Sequence, residues 1–366
     1  MKHIISCSDG TWNKPTEDVR STNNEDAADS DYDFDTNVAR MYKSIRSSKG
    51  DIEQVKIYDQ GVGTGVSWKD KILGGATGEG IDKNIKDVYQ FFMLNYEPDD
   101  KLFLFGFSRG AYTARSVAGF IRNCGILKPE NIHLVDKAYE LYRDRNPYTH
   151  PDSDLMKSFR KAYCITDKEN GNLAPIHFIG VWDTVGALGL PLSWFQMSNR
   201  KRYRFHDVTL SSHVQYAYHA LAVDEKRALF SPTLWKKSKS VMANPEHPQH
   251  KCMEQRWFAG VHSNVGGGYR DSRLSNIALR WLIEKAKGAG LCFNDGPLAQ
   301  DKDGRDVGLL EESRKGFYKF WRPYWREIKK GDGLTNQEID DSIIERMNDK
   351  QWKYQPKNLA GVYKSA

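Results

Sequence analysis

Long apolar runs are missing from this chain of 366 residues. No stretch approaches the ~18 consecutive apolar residues that mark a membrane-spanning helix, so a conventional transmembrane helix is not expected. Met1, Lys2 and His3 lead straight into Ile4-Ile5-Ser6-Cys7, a run too short for the apolar region of a standard secretory signal. The expected location is the cytoplasm, with signal-independent secretion as the alternative. Cysteine is scarce and scattered: Cys7, Cys124, Cys164, Cys252 and Cys292 form no CxxC pair. Neither a disulfide scaffold nor a cysteine-rich zinc site is indicated by such a set. No clear internal repeat and no low-complexity tract occurs. Charge of one sign does not dominate either, because 54 Lys and Arg against 48 Asp and Glu leave a net charge of +6. The basic stretches 200–204 and 236–239 read as solvated faces, and no nucleic-acid partner is expected.

What is present fits one large α/β core with insertions. The composition, 39% hydrophobic and 12% aromatic, is that of a globular chain. Short apolar runs near 4–7, 55–57, 102–106, 176–181 and 257–261 predict strands, and the patterns between them predict helices, the rhythm of a mostly parallel sheet. Val38, Met41, Tyr42 and Ile45 share one helical face, as do Ile81, Ile85, Val88 and Phe92. Further helices are expected over 111–123 and from about 275. The more polar segment 129–171 reads as a helical insertion at the edge of the core, with a contribution to a lid. The catalytic core is placed at 1–295, and 296–366 is read as a helical, aromatic extension packed on it. In that extension Phe317, Phe320, Trp321, Tyr324, Trp325 and Ile328 recur at helical spacing around Pro323. Packing onto the core is the expected role for these rings, and peripheral membrane contact is the alternative.

The strongest motif is Gly106-Phe107-Ser108-Arg109-Gly110. GxSxG alone is weak, but here a predicted strand precedes it and a predicted helix follows, the order of a nucleophile elbow. Ser108 is therefore the expected nucleophile. In this fold the orienting acid and then the base follow the serine in the chain, at strand ends. Asp183 follows the run 176–181 and His262 follows 257–261, so they fill the acid and base roles. His219 is the competing base, although 219–227 reads more like an amphipathic helix than a strand-end loop. Asp224 and Glu225 are alternative acids, or partners of Lys226 and Arg227 on a surface. For the oxyanion hole the elbow offers the Arg109 N–H, and the loop after strand one offers Gly10 and Thr11. Asp9 and Thr11 alternatively organise that loop by side-chain hydrogen bonds. The glycines between 61 and 80 lack a GxGxxG after a suitable first strand and a GKS or GKT ending, so they read as turns or pocket walls. Asp9, Asp183 and His262 offer metal-compatible oxygen and nitrogen donors. With no HExxH and no dense His and Asp cluster, no catalytic metal and no cofactor is expected, and a non-catalytic calcium site stays open.

Taken together, these segments resemble the catalytic-domain family of type VI secretion phospholipase effectors and their α/β-hydrolase relatives. The resemblance is carried by Ser8-Asp9-Gly10-Thr11-Trp12-Asn13, Tyr58-Asp59-Gln60-Gly61-Val62-Gly63-Thr64-Gly65 and Gly106-Phe107-Ser108-Arg109-Gly110-Ala111-Tyr112. It continues through Gly180-Val181-Trp182-Asp183-Thr184-Val185-Gly186, through 219–225, and through 257–269, and so spans roughly 3–285. It implies a Ser, Asp, His triad on Ser108, Asp183 and His262, and hydrolysis of esters including phospholipid acyl esters. One departure is Asn264, where family members usually carry aspartate, which weakens any metal or hydrogen-bonding role for that position.

The expectation is thus a serine esterase, lipase or phospholipase that takes a small-molecule or lipid ester and forms an acyl-enzyme. The alternatives are a protein- or membrane-binding module on a hydrolase fold, and a metal-dependent phosphoesterase.

Overall fold

The computed structural model describes residues 1–10, 34–61, 78–166, 174–186, 208–294, 308–315, 319–360 and 362. Thr11, Gly63, Gly65, Gly74, Gly75, Phe317 and the basic stretch 200–204 lie outside them. Among the described residues ten strands follow in chain order: β1 (His3–Ser8), β2 (Ser48–Lys49), β3 (Ile52–Asp59), β4 (Lys101–Phe107), β5 (Ile126–Leu127), β6 (Cys164–Ile165), β7 (Ile176–Trp182), β8 (Val214–Ala222), β9 (Met253–Phe258) and β10 (Gln337–Ile339). Eight of them form one sheet in the order β10-β9-β8-β7-β4-β1-β3-β2, and β5 and β6 pair separately. Every pairing in the large sheet is parallel except that of β2 with β3.

Alternation along the central strands splits the core into two layers. Leu102 and Leu104 of β4 point to the layer that holds Val88, Phe92, Val117 and Phe120. Phe103, Phe105 and Phe107 point to the opposite layer, with Val38, Met41, Leu279 and Leu282. The period of two along a strand sends successive side chains to opposite faces, so helices must cover both. The helices Gly78–Asn95 and Arg109–Cys124 cover one face, and Asn37–Ser44 and Arg273–Gly288 the other. The first of the latter pair starts where Thr36 Oγ1 accepts the Ala39 N–H at 3.1 Å, an N-cap.

The chain leaves β1 towards β3 on one side and then crosses to β4 on the other, which puts a topological switch at β1 and β4. In open α/β sheets the crevice outside the carboxyl ends of the strands at such a switch is where ligands bind. Ser8 of β1 is level with Gly106 of β4, Phe107 with Trp182 of β7, and Trp182 with Ala220 of β8. Asp9, Ser108, Asp183 and Val223 therefore leave the sheet along one edge.

Two expectations differ from what is found. The segment with His219 is strand β8, not an amphipathic helix. Helices lie on both faces of the sheet, so β8 is almost wholly buried, and its alanines make an apolar run that lacks the alternation of a half-exposed strand. The aromatic stretch also forms no α-helix over its described residues 319–328. Pro323 removes a backbone donor, and the Tyr324 N–H bonds across to the Lys226 carbonyl at 2.8 Å. Ile328 packs into the core while Phe320 stays 87% exposed.

The insertion holds the expected helices, Val135–Arg143 and Asp154–Tyr163. Its contacts run largely to the carboxyl half of the helix Arg109–Cys124: Phe120 stacks on Tyr142, and Asn123 Nδ2 donates to the Thr149 carbonyl at 3.1 Å. Among the described residues it buttresses that helix at the end away from Ser108. The C-terminal extension adds β10 to the sheet, and Ile339, Ile343, Tyr354 and Leu359 join a third core cluster with Leu221 and Trp257.

Candidate active site

Ser108 stands between β4 and the helix Arg109–Cys124 with φ 58° and ψ −117°. A left-handed φ at a non-glycine residue costs on the order of 1–3 kcal/mol and persists only where its surroundings enforce it. They do so here. The Ser108 N–H donates to the Trp182 carbonyl at 3.1 Å, and the helix starts at once behind it. A Cβ on Gly106 would lie 2.4 Å from the Gly110 carbonyl oxygen, and one on Gly110 would lie 2.0 Å from the Ser8 carbonyl oxygen. Both obstacles are backbone and cannot rotate away. Gly110→Ala is therefore expected to push β1 and the elbow apart, destabilising the protein by about 1–3 kcal/mol or more and lowering ester turnover by at least roughly tenfold. A thermal melt and an esterase assay on the variant check this.

Asp183 also has positive φ, 38°, and its N–H donates to the Ala220 carbonyl at 2.7 Å. This kink turns its carboxylate along the strand ends. Oδ2 accepts His262 Nδ1–H at 2.6 Å, and Oδ1 accepts the Ala222 N–H at 3.1 Å. Arg326, which no sequence signal singled out, donates from Nη1 to Oδ1 at 2.5 Å and from Nη2 to Oδ2 at 3.0 Å. Burial alone would raise the Asp183 carboxyl, but the Arg326 charge and the bond to His262 hold it well below the usual carboxylate range. It is an anion at any pH near neutral.

His262 opens the short helix His262–Gly266 after β9. Its ring lies between Phe107, with centroids 4.6 Å apart, and the edge of Phe230, at 5.0 Å. Its N–H donates to Glu225 Oε2 at 3.3 Å. Burial pushes the imidazole pKa below its ordinary value, against the opposing pull of Asp183. Burial thus favours the neutral ring, the bond to the Asp183 carboxylate places the proton on Nδ1, and Nε2 has no hydrogen-bond partner among the described residues, the state a general base requires. Ser108 is partly exposed, and among the described residues its hydroxyl makes no direct hydrogen bond to the ring.

The other candidates hold the frame. His219 is fully buried, its Nε2 accepts the Thr184 N–H at 3.0 Å, and its Nδ1 lies 3.2 Å from Gln255 Oε1. Burial pushes it down to about 3. With both nitrogens engaged it holds the residue after Asp183 and has no lone pair free for a hydroxyl. Asp224 Oδ2 accepts the Gly260 N–H and the Tyr354 hydroxyl, each at 2.8 Å, which ties the loop before His262 to the C-terminal extension. Glu225 is buried rather than on a surface, and it pairs with Arg227 at 2.8 Å and accepts Ser313 Oγ at 2.9 Å. Asn264 keeps a hydrogen-bonding role, contrary to the expectation from its departure from aspartate, because an amide both accepts and donates: Oδ1 accepts the Val261 and Glu311 N–H groups, and Nδ2 donates to the Leu309 carbonyl, all at 3.2 Å.

Asp9 does not gather with Asp183 and His262. Its Oδ1 accepts the Gly10 N–H at 2.6 Å, and its Oδ2 accepts Thr36 Oγ1 and the Tyr58 hydroxyl, each at 2.5 Å. The Gly10 N–H is therefore engaged by Asp9 and does not serve as a free oxyanion donor. No group of three His, Cys, Asp or Glu residues placed to hold a metal occurs among the described residues. The Arg109 N–H sits in the first turn of its helix, where N–H groups have no intrahelical acceptor.

A mostly parallel sheet flanked by helices, with a strained serine between strand and helix, makes the chain α/β-hydrolase-like. Residues 2–285 match the family described as the type VI secretion system Tle1-like phospholipase effector catalytic domain, and the chain belongs to that family. It is 28% identical over 214 residues to the Saccharomyces cerevisiae protein YEL023C, a match that takes in 53% of this chain and 29% of that protein. Among solved structures it is similar to a protein from Pseudomonas aeruginosa, with a TM-score of 0.45 and 18% identity over 81% of this chain and 47% of the other. It is also similar to the Tle1 effector bound to the VgrG spike, with a TM-score of 0.37 and 20% identity over 74% and 51%. The chain spans less than a third of the curated relative and about half of each solved chain.

Proposed function

We propose that the protein hydrolyses acyl esters of phospholipids through an acyl-enzyme on Ser108. The observation that carries this reading is the strained Ser108 elbow at the strand end beside a buried, ionised Asp183 bonded to a neutral His262. Membership in a family of phospholipase effectors supports the lipid ester as substrate class.

In the proposed reaction His262 Nε2 takes the Ser108 proton as Oγ attacks the ester carbonyl carbon. The carbonyl π pair moves onto oxygen, where the Arg109 N–H and the positive end of its helix stabilise the negative charge. The ester C–O bond then breaks, and the lysolipid alkoxide takes the proton from His262. Water, deprotonated by the same nitrogen, attacks the acyl-serine, and the fatty acid leaves with Ser108 restored. Asp183 keeps its charge throughout and stabilises the imidazolium form. Measuring fatty-acid release from phospholipid vesicles by wild type and Ser108→Ala tests the assignment.

A bilayer is the natural source of such a substrate. Phe320, Tyr324 and Trp325 are exposed on the segment that carries Arg326, and Lys226 and Lys357 lie 5.4 and 5.7 Å from the Trp325 ring. Rings beside cations suit an anionic lipid surface. Phe320→Ala is expected to weaken binding to anionic vesicles by roughly tenfold, the scale of burying one aromatic ring, and to leave turnover of a soluble short-chain ester unchanged. Co-sedimentation with the vesicles reads this, and unaltered binding would remove the surface from the proposal.

A further inference from the structure

Arg326 lies outside the residues 2–285 that match the family, yet it is one of the largest fully buried side chains described. Its four Nη hydrogens are all used. Two go to the two oxygens of Asp183, as given above, one goes to the Ala222 carbonyl at 2.7 Å, and one goes to the Phe230 carbonyl at 2.6 Å. The guanidinium thus fixes the acid, the end of β8 that supports it, and the residue whose ring packs on His262. Its own backbone is held in turn, because Asn358 Nδ2 donates to the Arg326 and Val223 carbonyls at 3.3 and 3.0 Å.

We infer that Arg326 is a positioning residue for the acid and base pair, so that the working active site includes the C-terminal segment as well as the family-matched core. This rests on the reading of Ser108, Asp183 and His262 as a triad. The planar fork of an arginine matches a carboxylate at both oxygens, which fixes the plane in which Oδ2 meets the His262 Nδ1–H. Its charge also tempers the acid. His262 also feels Glu225, which favours the imidazolium, and Arg227, which opposes it; without the Arg326 cation the balance on His262 moves towards the imidazolium, and buried Asp183 itself protonates more readily. Both changes move the loss of activity on acidification to higher pH. A guanidinium that only held the fold would leave this limb where it is.

The test uses the full chain with Arg326→Lys and Arg326→Met. A fluorophosphonate that labels an activated serine serves as active-site titrant, so that rates are counted per competent site. The expected result for Arg326→Lys is a kcat lower by on the order of 10²-fold, the scale of a misplaced catalytic group. KM should be nearly unchanged and the acid limb of kcat/KM close to wild type, since lysine keeps the cation; Arg326→Met, which removes it, should lower kcat further and displace the acid limb to higher pH in whatever fraction folds. Fewer titratable sites, with kcat per site as in wild type in both variants and the acid limb unmoved in Arg326→Met, would overturn the inference and leave Arg326 a structural residue. Failure of the triad reading registers separately, as wild-type turnover by Ser108→Ala.

Discussion

Ser108→Ala is expected to lower phospholipid turnover by about 10⁴-fold or more, the range found when the nucleophile of a serine hydrolase is removed. The fold should survive, because Ser108 supplies the elbow through its backbone. Its N–H bonds to the Trp182 carbonyl, and Tyr112 donates to the Ser108 carbonyl at 3.3 Å. Alanine keeps both groups and loses only the hydroxyl. The φ of 58° costs alanine about what it costs serine, so the melting temperature should move little. Vesicle hydrolysis, a thermal melt and fluorophosphonate labelling of the two proteins make the comparison. Equal turnover would remove the serine from the chemistry.

Asp183→Asn should cost about 10⁴-fold in kcat and, unlike the serine variant, should also destabilise the protein. Both carboxylate oxygens face donors only: Oδ1 faces the Ala222 N–H and Arg326 Nη1, and Oδ2 faces His262 Nδ1 and Arg326 Nη2. An asparagine must set its NH₂ against one of these pairs, whichever way it turns. If it faces His262, the ring loses its acceptor and the tautomer that frees Nε2. If it faces the backbone, the support from Ala222 is lost. In either case Arg326 becomes a buried cation without its anion, a situation that costs about 3–5 kcal/mol when one partner of a buried pair is removed. Steady-state kinetics and urea unfolding read the two effects. A variant as stable as wild type would argue against a charged Asp183 and Arg326 pair.

The central strands and the strand-end positions of Ser108, Asp183 and His262 were legible because their signals are local. Runs of apolar residues ended at Ser108, Asp183 and His262, and each run proved to be a strand or its exit. His219 was harder, since Ala217, Ala220 and Ala222 with the charged 224–227 suit a helix as well as a strand buried on both faces. The aromatic stretch misled for a related reason: its spacing matched a helix, while its backbone is held by single bonds such as that from Tyr324 to Lys226. Arg326 was out of reach. Its partner lies 143 residues away, and an arginine among 54 basic residues announces nothing until the fold sets it against a carboxylate.

Strand β10 has a consequence for handling shorter pieces of this chain. It runs along β9 and satisfies that strand's outer edge from Gln255 to Trp257. A fragment ending near residue 285 would keep the serine, the acid and the base, yet would present β9 as a long unpaired border beside an exposed Trp257. Open borders of this kind recruit other chains. Such a fragment is expected to self-associate, and its inactivity would then report aggregation together with the loss of Arg326.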